Sequence, residues 1–283
     1  MPVISEISNA FNRSAVNYAR SAVAQAEIGA RLIERLQYMK INPRYILDLG
    51  CGLGDFSKQL KQLYPKAHVV GLDLAFQMLS LGKGGSPFFR KKYSKVNANM
   101  VQMPFAAGVF DLVFANQSIH WADSLPQVFN ELNRVMNQNG CLLFSTLGPD
   151  TFKELSGAWS KIDAHAHVNH FVDMHDIGDF LLGEHFQDPV VDMEQLVLHY
   201  TSPMQAIRAL KKQGVRNISE KRNKGLTGKN AWAQFKKEAK NLYTTDNKFP
   251  LTYEVVYGHA WKGVMRQTKK GTETFIPITS IGL

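Results

Sequence analysis

The strongest constraint on this chain is ten residues long: Leu47-Asp48-Leu49-Gly50-Cys51-Gly52-Leu53-Gly54-Asp55-Phe56. A short apolar run, Tyr45 to Leu49, ends in three alternating glycines, and an amphipathic segment follows from about Phe56 to Leu63. This is the pattern of a buried strand, a tight turn and a helix. Glycine adopts backbone dihedrals that other residues avoid and lets the main chain approach a ligand closely. A turn of this kind cradles a pyrophosphate in dinucleotide-binding folds. A lone G-x-G-x-G also serves as a purely structural turn, so its surroundings must decide.

Those surroundings alternate strand and helix. His68 to Leu72 reads as a second strand and Phe76 to Leu81 as a second helix. Val96 to Met100 reads as a third strand and Phe110 to Asn116 as a fourth. Leu125 to Met136 reads as a helix, and Cys141 to Thr146, after the Asn139-Gly140 turn, as a fifth strand. Such alternation predicts a parallel sheet covered on both faces, a doubly wound α/β fold. Upstream, residues 11–37 carry apolar positions at three- and four-residue steps and read as a helix that Asn42-Pro43 stops. After Thr146 the alternation weakens. Residues 151–200 mix helix signals with a His-rich segment, residues 203–240 look helical and basic, and Leu251 to Trp261 reads as a strand. In the tail, Phe275, Ile276 and Ile278 fit an edge strand, a loosely ordered end being the alternative. The expected organisation is an N-terminal helical segment or lid (1–40), a cofactor-binding core (41–150), a substrate-side insertion with the last strands (151–263) and a tail (264–283).

Bulk properties exclude some classes. No apolar run is long enough to span a membrane, and the N-terminus lacks the apolar core of a signal peptide, so a cytoplasmic protein is expected. Two cysteines cannot make a disulfide framework. The net charge of +9 is uneven: residues 205–283 hold 16 Lys and Arg against 5 Asp and Glu, whereas residues 151–204 hold 2 against 9. A basic third can face nucleic acid, an anionic membrane or an acidic protein, or be a solvated helical surface.

Three features strengthen the glycine motif. Asp73 closes the second strand, where a carboxylate can accept hydrogen bonds from both ribose hydroxyls. Asn99-Met100, at the end of the next strand, offers one polar and one apolar side chain to bracket a base. Asn116 ends the fourth strand at the carboxyl edge, where open α/β sheets bind ligands. No second mononucleotide-binding half follows residue 150, which disfavours a dinucleotide.

With these residues the chain resembles the class I methyltransferases. Asp48-Leu49-Gly50-Cys51-Gly52-Leu53-Gly54 matches their first motif, Asp73 in Gly71-Leu72-Asp73-Leu74 their ribose-binding acid, and Met103-Pro104-Phe105 with Phe110-Asp111-Leu112-Val113 a segment of a large subgroup. The resemblance implies S-adenosylmethionine as cofactor and a mostly parallel seven-stranded Rossmann-like sheet. It implies binding by Gln25, Asp48, Gly50, Cys51, Gly52 and Gly54 in the first half of the site. Asp73, Leu74, Met78, Asn99, Met100 and Asn116 supply the second half.

A narrower resemblance spans about residues 10–262. Ala10 to Tyr18, continuing to Gln25, is similar to the start of the malonyl-acyl-carrier-protein O-methyltransferases of biotin synthesis. So are Asn116 to Trp121, His167 to Phe171, Ser202-Pro203-Met204, Ala209 to Gly214 and Phe249 to Glu254. Position 120 is His where some members have Gln, and the tail beyond Lys262 is longer than usual. The resemblance implies methylation of the free carboxylate of a malonyl thioester, on acyl carrier protein or on coenzyme A. Tyr18 and His120 are then the candidate catalytic residues: Tyr18 donates a hydrogen bond to the carboxylate or the cofactor, and His120 makes a polar contact. Arg13, Trp121, His167, Asn169 and Phe171 are expected on the substrate side. No metal is expected: His165, His167, His170 and His175 with Asp173 and Asp176 read better as a polar loop or pocket segment, since methyl transfer needs no metal.

Under this resemblance the basic region 208–240 faces the acidic carrier protein, with no membrane partner and nucleic acid disfavoured. Charge reversal at Lys211 and Lys212 is expected to weaken the carrier-bound reaction more than the coenzyme A reaction. Two other readings stay open: a methyltransferase acting on another small molecule or on RNA, and a non-catalytic binding or assembly protein of the same fold.

Overall fold

The computed structural model describes residues 2–82, 93–263, 265–268 and 271–274. In chain order the elements begin with α1 (Pro2–Ser21), α2 (Val23–Arg35), β1 (Tyr45–Leu49), α3 (Asp55–Leu63), β2 (His68–Asp73), α4 (Phe76–Leu81) and β3 (Ser94–Asn97). They continue with β4 (Phe110–Asn116), α5 (Leu125–Val135), β5 (Met136–Leu147), α6 (Lys153–Trp159), α7 (Met174–Gly183), β6 (Phe186–Tyr200) and α8 (Pro203–Lys212). The last are α9 (Lys229–Lys240), β7 (Phe249–Lys262) and a separate hairpin of β8 (Met265–Thr268) with β9 (Gly271–Thr274).

Seven strands form one sheet in the order β3-β2-β1-β4-β5-β7-β6. β1 to β5 pair in parallel, and β7 runs antiparallel to both of its neighbours. This is the expected doubly wound, mostly parallel sheet. Alternation along the central strands sends neighbouring residues to opposite faces. Ile46, Leu112 and Phe114 join α2, α3 and α6 on one side. Leu47, Leu49, Val113 and Ala115 join α5 and α7 on the other. Chain order reverses between β1 and β4, which opens a crevice at the strands' carboxyl ends, the place where such sheets bind ligands.

Several boundaries differ from the sequence expectation. The single helix over 11–37 is two helices that meet at Ala22, whose backbone leaves the helical region (ψ 48). There the Gln213 side chain donates to the Ser21 carbonyl at 2.8 Å. The helical stretch 203–240 is likewise two helices: Gly214, at φ +86, turns the chain out of α8 into fourteen residues of loop before Lys229. β6, which the mixed pattern of 151–200 concealed, is an edge strand with a bulge between Gln187 and Val190. Asp188 has positive φ there, and Pro189 has no N–H to give to a ladder. The edge-strand residues Phe275, Ile276 and Ile278 lie outside the described residues. Among the described residues, no helix is long and apolar enough to cross a membrane.

Candidate active site

The three glycines of the turn all have positive φ (Gly50 +74, Gly52 +53, Gly54 +77), but their surroundings differ. A Cβ at Gly50 would collide with Ser118, and one at Gly54 with the Tyr93 hydroxyl. A Cβ at Gly52 would meet nothing closer than Tyr18 Cε1, 3.9 Å away. Gly52 therefore faces open space. The turn is anchored from below, where Gly50 N and Cys51 N donate to the Leu72 carbonyl at 2.8 and 3.0 Å.

Asp73, the last residue of β2, holds the turn from the side. One carboxylate oxygen accepts from Gly52 N at 2.8 Å and the other from Ala75 N at 2.7 Å. Each oxygen keeps a lone pair. Burial raises the Asp73 carboxyl above the ordinary range, and backbone N–H groups of Ala75, Gly52 and Leu74 partly offset this. Asp48 lies under the turn. It accepts from Ser57 Oγ at 2.5 Å, and burial pushes its carboxyl up to about 7.

Above the turn is a cavity of about 370 Å³, within the usual range for small-molecule sites. One wall is the carboxyl edge of the sheet and its loops, with Gly50, Gly52, Asp73, Leu74, Met78, Asn99, Met100 and Asn116. The other is a stripe of α1, with Ile4, Ile7, Phe11 and Tyr18. Steps of three, four and seven put these four on one helix face. α1 is held over the sheet by Asn12 Oδ1, which accepts from Gln77 N at 2.8 Å, and by an ion pair of Glu6 with Arg222.

Burial, with Asp73 and Asp55 nearby, raises the Tyr18 phenol, so at neutral pH it is a hydrogen-bond donor and not a base. Burial drops His120 to about 3, so its imidazole is neutral. His120 lies between Trp121 and Phe171, with ring centroids 5.4 and 5.7 Å away, and its Nδ1 is 3.4 Å from Thr146 Oγ1. Trp121 also meets Phe11 edge-on at 5.1 Å.

Two buried side-chain polar atoms have no partner among the described residues, Gln25 Oε1 and Tyr253 Oη, and both residues line this cavity. Buried polar groups without partners are rare, and here a ligand would satisfy them. Gln25 Nε2 donates to Gln213 Oε1 at 3.1 Å, and Asn116 Nδ2 to the Gln25 carbonyl at 2.9 Å, which ties α2 to the sheet beside the cavity.

Not every expected residue is here. Arg13 is exposed, two positions on from Phe11 and so on the opposite face of α1. His167 and Asn169 line a second cavity next to the first. Asp48, Cys51 and Gly54 support the turn without lining the cavity: the Cys51 sulfur packs on Gly71, and burial keeps its thiol protonated. Among the described residues no three His, Cys, Asp or Glu side chains converge as a metal site. His167 pairs with Asp163 at 2.9 Å and His175 with Asp173 at 2.7 Å. Conversely, Phe152, Gln213 and Tyr253 line the first cavity without being expected there; Gln213 and Tyr253 fall in segments that carry the family resemblance, and Phe152 has no local signal in the sequence.

Residues 47–144 match a family model described as a methyltransferase domain. The fold is also that of the Bacillus subtilis YcgJ protein (TM-score 0.58, 12% identity, 82% of this chain against 97% of that one). It is shared with Haemonchus contortus phosphoethanolamine N-methyltransferase 2 in complex with S-adenosylmethionine (TM-score 0.50, 18% identity, 83% against 52%). These likenesses establish the fold. The malonyl-acyl-carrier-protein O-methyltransferase of Legionella pneumophila is 60% identical over 281 residues, 99% of each chain. This chain belongs to the malonyl-acyl-carrier-protein O-methyltransferase family.

For a malonyl-acyl-carrier-protein O-methyltransferase the charge of the cavity is informative. Among the described residues no Lys or Arg lines it, and its ionisable groups are Asp73, Asp123, neutral His120 and the phenols Tyr18 and Tyr253. An anionic substrate entering it would meet neutral donors only. The glycine cradle, the open face at Gly52, the spare lone pairs of Asp73 and the unpartnered Gln25 Oε1 together fit S-adenosylmethionine, the cofactor of this methyltransferase fold.

Proposed function

We propose that the protein methylates the free carboxylate of a malonyl thioester carried by an acyl carrier protein, with S-adenosylmethionine as donor. The observation that carries this reading is the 60% identity over 99% of both chains with the Legionella pneumophila enzyme of that name. The cavity supports it chemically. Gly50, Gly52, Asp73, Leu74, Asn99 and Met100 would hold the cofactor's nucleoside, and Gln25 with Tyr18 its amino-acid end. When bound, S-adenosylmethionine supplies a methyl group on a sulfonium, which the carboxylate oxygen attacks to form the ester while the C–S electron pair returns to sulfur.

A carboxylate is ionised at pH 7 and needs no general base. Tyr18 and His120, neither of which is a base at that pH by the shifts above, are in keeping with this. Tyr253 Oη, unpartnered and 1% exposed, would donate one hydrogen bond to the substrate carboxylate and orient it. A neutral donor positions the anion without pairing away its charge as Arg or Lys would. The aromatic walls of Phe11, Trp121 and Phe171 exclude water, which favours a transition state in which opposite charges cancel. Catalysis then comes mainly from alignment, worth up to about 7–11 kcal/mol in ideal cases.

The test is to incubate the protein with S-adenosylmethionine and either malonyl- or acetyl-loaded carrier and read intact mass. One added methyl on the malonyl form alone is expected; no transfer, with cofactor binding demonstrated separately, would overturn the substrate assignment. The acidic carrier would meet the basic face of α8 and α9, in the cytoplasm. Charge reversal at Lys212, Lys236 and Lys237, all exposed, is expected to lower kcat/KM for the carrier-bound substrate about tenfold at low salt and far less for malonyl-CoA. Equal losses would remove the docking role. The aromatic residues of this region do not favour RNA: Phe235 is fully buried, and Trp232 packs against it and Trp159.

A further inference from the structure

The second cavity, of about 200 Å³, is not used by the methyl-transfer chemistry. It shares Phe152 and Val215 with the first cavity, so the two spaces abut across those side chains. Its deep walls are apolar: Leu155, Trp159 and Leu210 are buried. Trp159 is stacked between His167, 4.0 Å away, and Phe235, 4.6 Å away. Its exposed lining includes Lys211 and Arg216, and no carboxylate lines it. Neither cation has an ion-pair partner among the described residues.

The loops that supply part of this lining are held together by side-chain amides. Asn169 Nδ2 donates to the Arg216 carbonyl at 2.9 Å, Asn169 Oδ1 accepts from Ile218 N at 2.8 Å, and Asn217 Nδ2 donates to the Ala166 carbonyl at 2.5 Å. Two separate loops are thereby joined beside the opening. By exposure the lining runs from Lys211 and Arg216, which are exposed, to Leu155, Trp159 and Leu210, which are buried, and Phe152 and Val215 are shared with the methyl-transfer cavity.

We infer that this second cavity is the channel for the phosphopantetheine arm of the substrate, with Lys211 and Arg216 on the arm's phosphate and the thioester delivered past Phe152 and Val215. The inference rests on the malonyl-thioester reading above. The arm's chemistry follows the same order: a phosphodiester at one end, alkyl segments and amides between, and a thioester at the other. Tyr253 stands where the acyl group would emerge, its ring edge-on to Phe152 at 4.9 Å. Lys211 thus differs in role from its neighbour Lys212, which does not line the cavity. His167 and Asn169 contribute on the substrate side by shaping the arm's path.

The phosphate distinguishes the arm from the rest of the carrier. The double variant Lys211→Gln/Arg216→Gln is compared with the wild type on malonyl-carrier, malonyl-CoA and malonyl-N-acetylcysteamine, which has no phosphate. A loss of about tenfold or more in kcat/KM on both phosphate-bearing substrates is expected, with the small thioester spared and S-adenosylhomocysteine affinity unchanged. Loss on the carrier substrate alone would mean surface docking, equal loss on all three a structural role, and no loss no role; each would overturn the inference. A binding readout stands apart from turnover. Trp159 and Trp232 line the cavity, so 4′-phosphopantetheine should alter tryptophan emission and bind more tightly than pantetheine, a preference that the double variant loses. No preference in the wild type would also overturn it. Failure of the wild type to methylate malonyl-carrier at all would instead count against the function proposed above.

Discussion

Asp73→Ala is expected to weaken S-adenosylhomocysteine binding by about a hundredfold or more, measured by titration calorimetry near pH 7.5. The carboxylate is set by two backbone donors, Gly52 N and Ala75 N, which orient it and leave a lone pair on each oxygen at the cavity wall. Two ribose hydroxyls bound there would make hydrogen bonds to a charged acceptor, each worth about 1.5–3 kcal/mol. Alanine removes both, and the Gly52 N–H loses the acceptor that fixes the turn. Asp73→Asn separates the two effects: one oxygen survives, but its amide must face a backbone donor, so an intermediate loss is expected. Stability should behave differently from affinity. Burial raises the Asp73 carboxyl in the folded state, so the native protein binds that proton more tightly than the unfolded chain does. Its contribution to stability therefore falls as pH rises above the unfolded value. A ligand-free melting temperature close to wild type, with cofactor affinity lost, would mark Asp73 as a binding residue. Affinity within about threefold of wild type would place the ribose elsewhere.

Asp73 was legible in the sequence because its evidence is local. A strand, a turn and the next strand's terminal acid lie within about thirty residues, and their order alone forces them to one edge of a parallel sheet. The same holds for Asn116, which ends β4; Asn99 lies two residues beyond β3, which spans Ser94–Asn97 where the apolar pattern suggests Val96 to Met100. Of the residues that reach the cavity from elsewhere, Tyr18, Gln25, Trp121 and Phe171 are named through the resemblance, whereas Gln213 and Tyr253 are not assigned to the site. Tyr253 lies on β7, two residues beyond the end of its pairing with β5 and opposite Leu196 of β6, so its place depends on the order of the last three strands. Gln213 meets Gln25 across 188 positions of sequence. Arg13 shows a limit of another kind. The periodicity of residues 11–37 was sufficient to predict a helix, but which face turns inward depends on what α1 packs against. Ile4, Ile7, Phe11 and Tyr18 form the inward stripe, and Arg13 falls outside it. His167 and Asn169 were singled out as substrate-side residues and stand one cavity away from the methyl-transfer site. Sequence proximity to a motif does not resolve two spaces divided by a single layer of side chains.

Trp159→Ala should have the largest effect on stability, about 3–5 kcal/mol, as for other buried large-to-small changes. Trp159 is 4% exposed and links three elements: α6, which carries it, α9 through Phe235 and Trp232, and the loop that bears His167. Truncation would leave a void between them that the neighbours cannot fill, because Phe235 is itself fully buried and fixed on α9. For a chain of this size the melting temperature should fall by roughly 10 °C. The cofactor end should be spared: the glycine turn, Asp73 and α1 do not rest on Trp159, so S-adenosylhomocysteine affinity below the transition should stay near wild type. Trp159→Phe retains most of the volume and the stack on His167, and should recover most of the lost stability. Cofactor affinity that fell together with stability would show instead that the two cavities share one cooperative wall through Phe152.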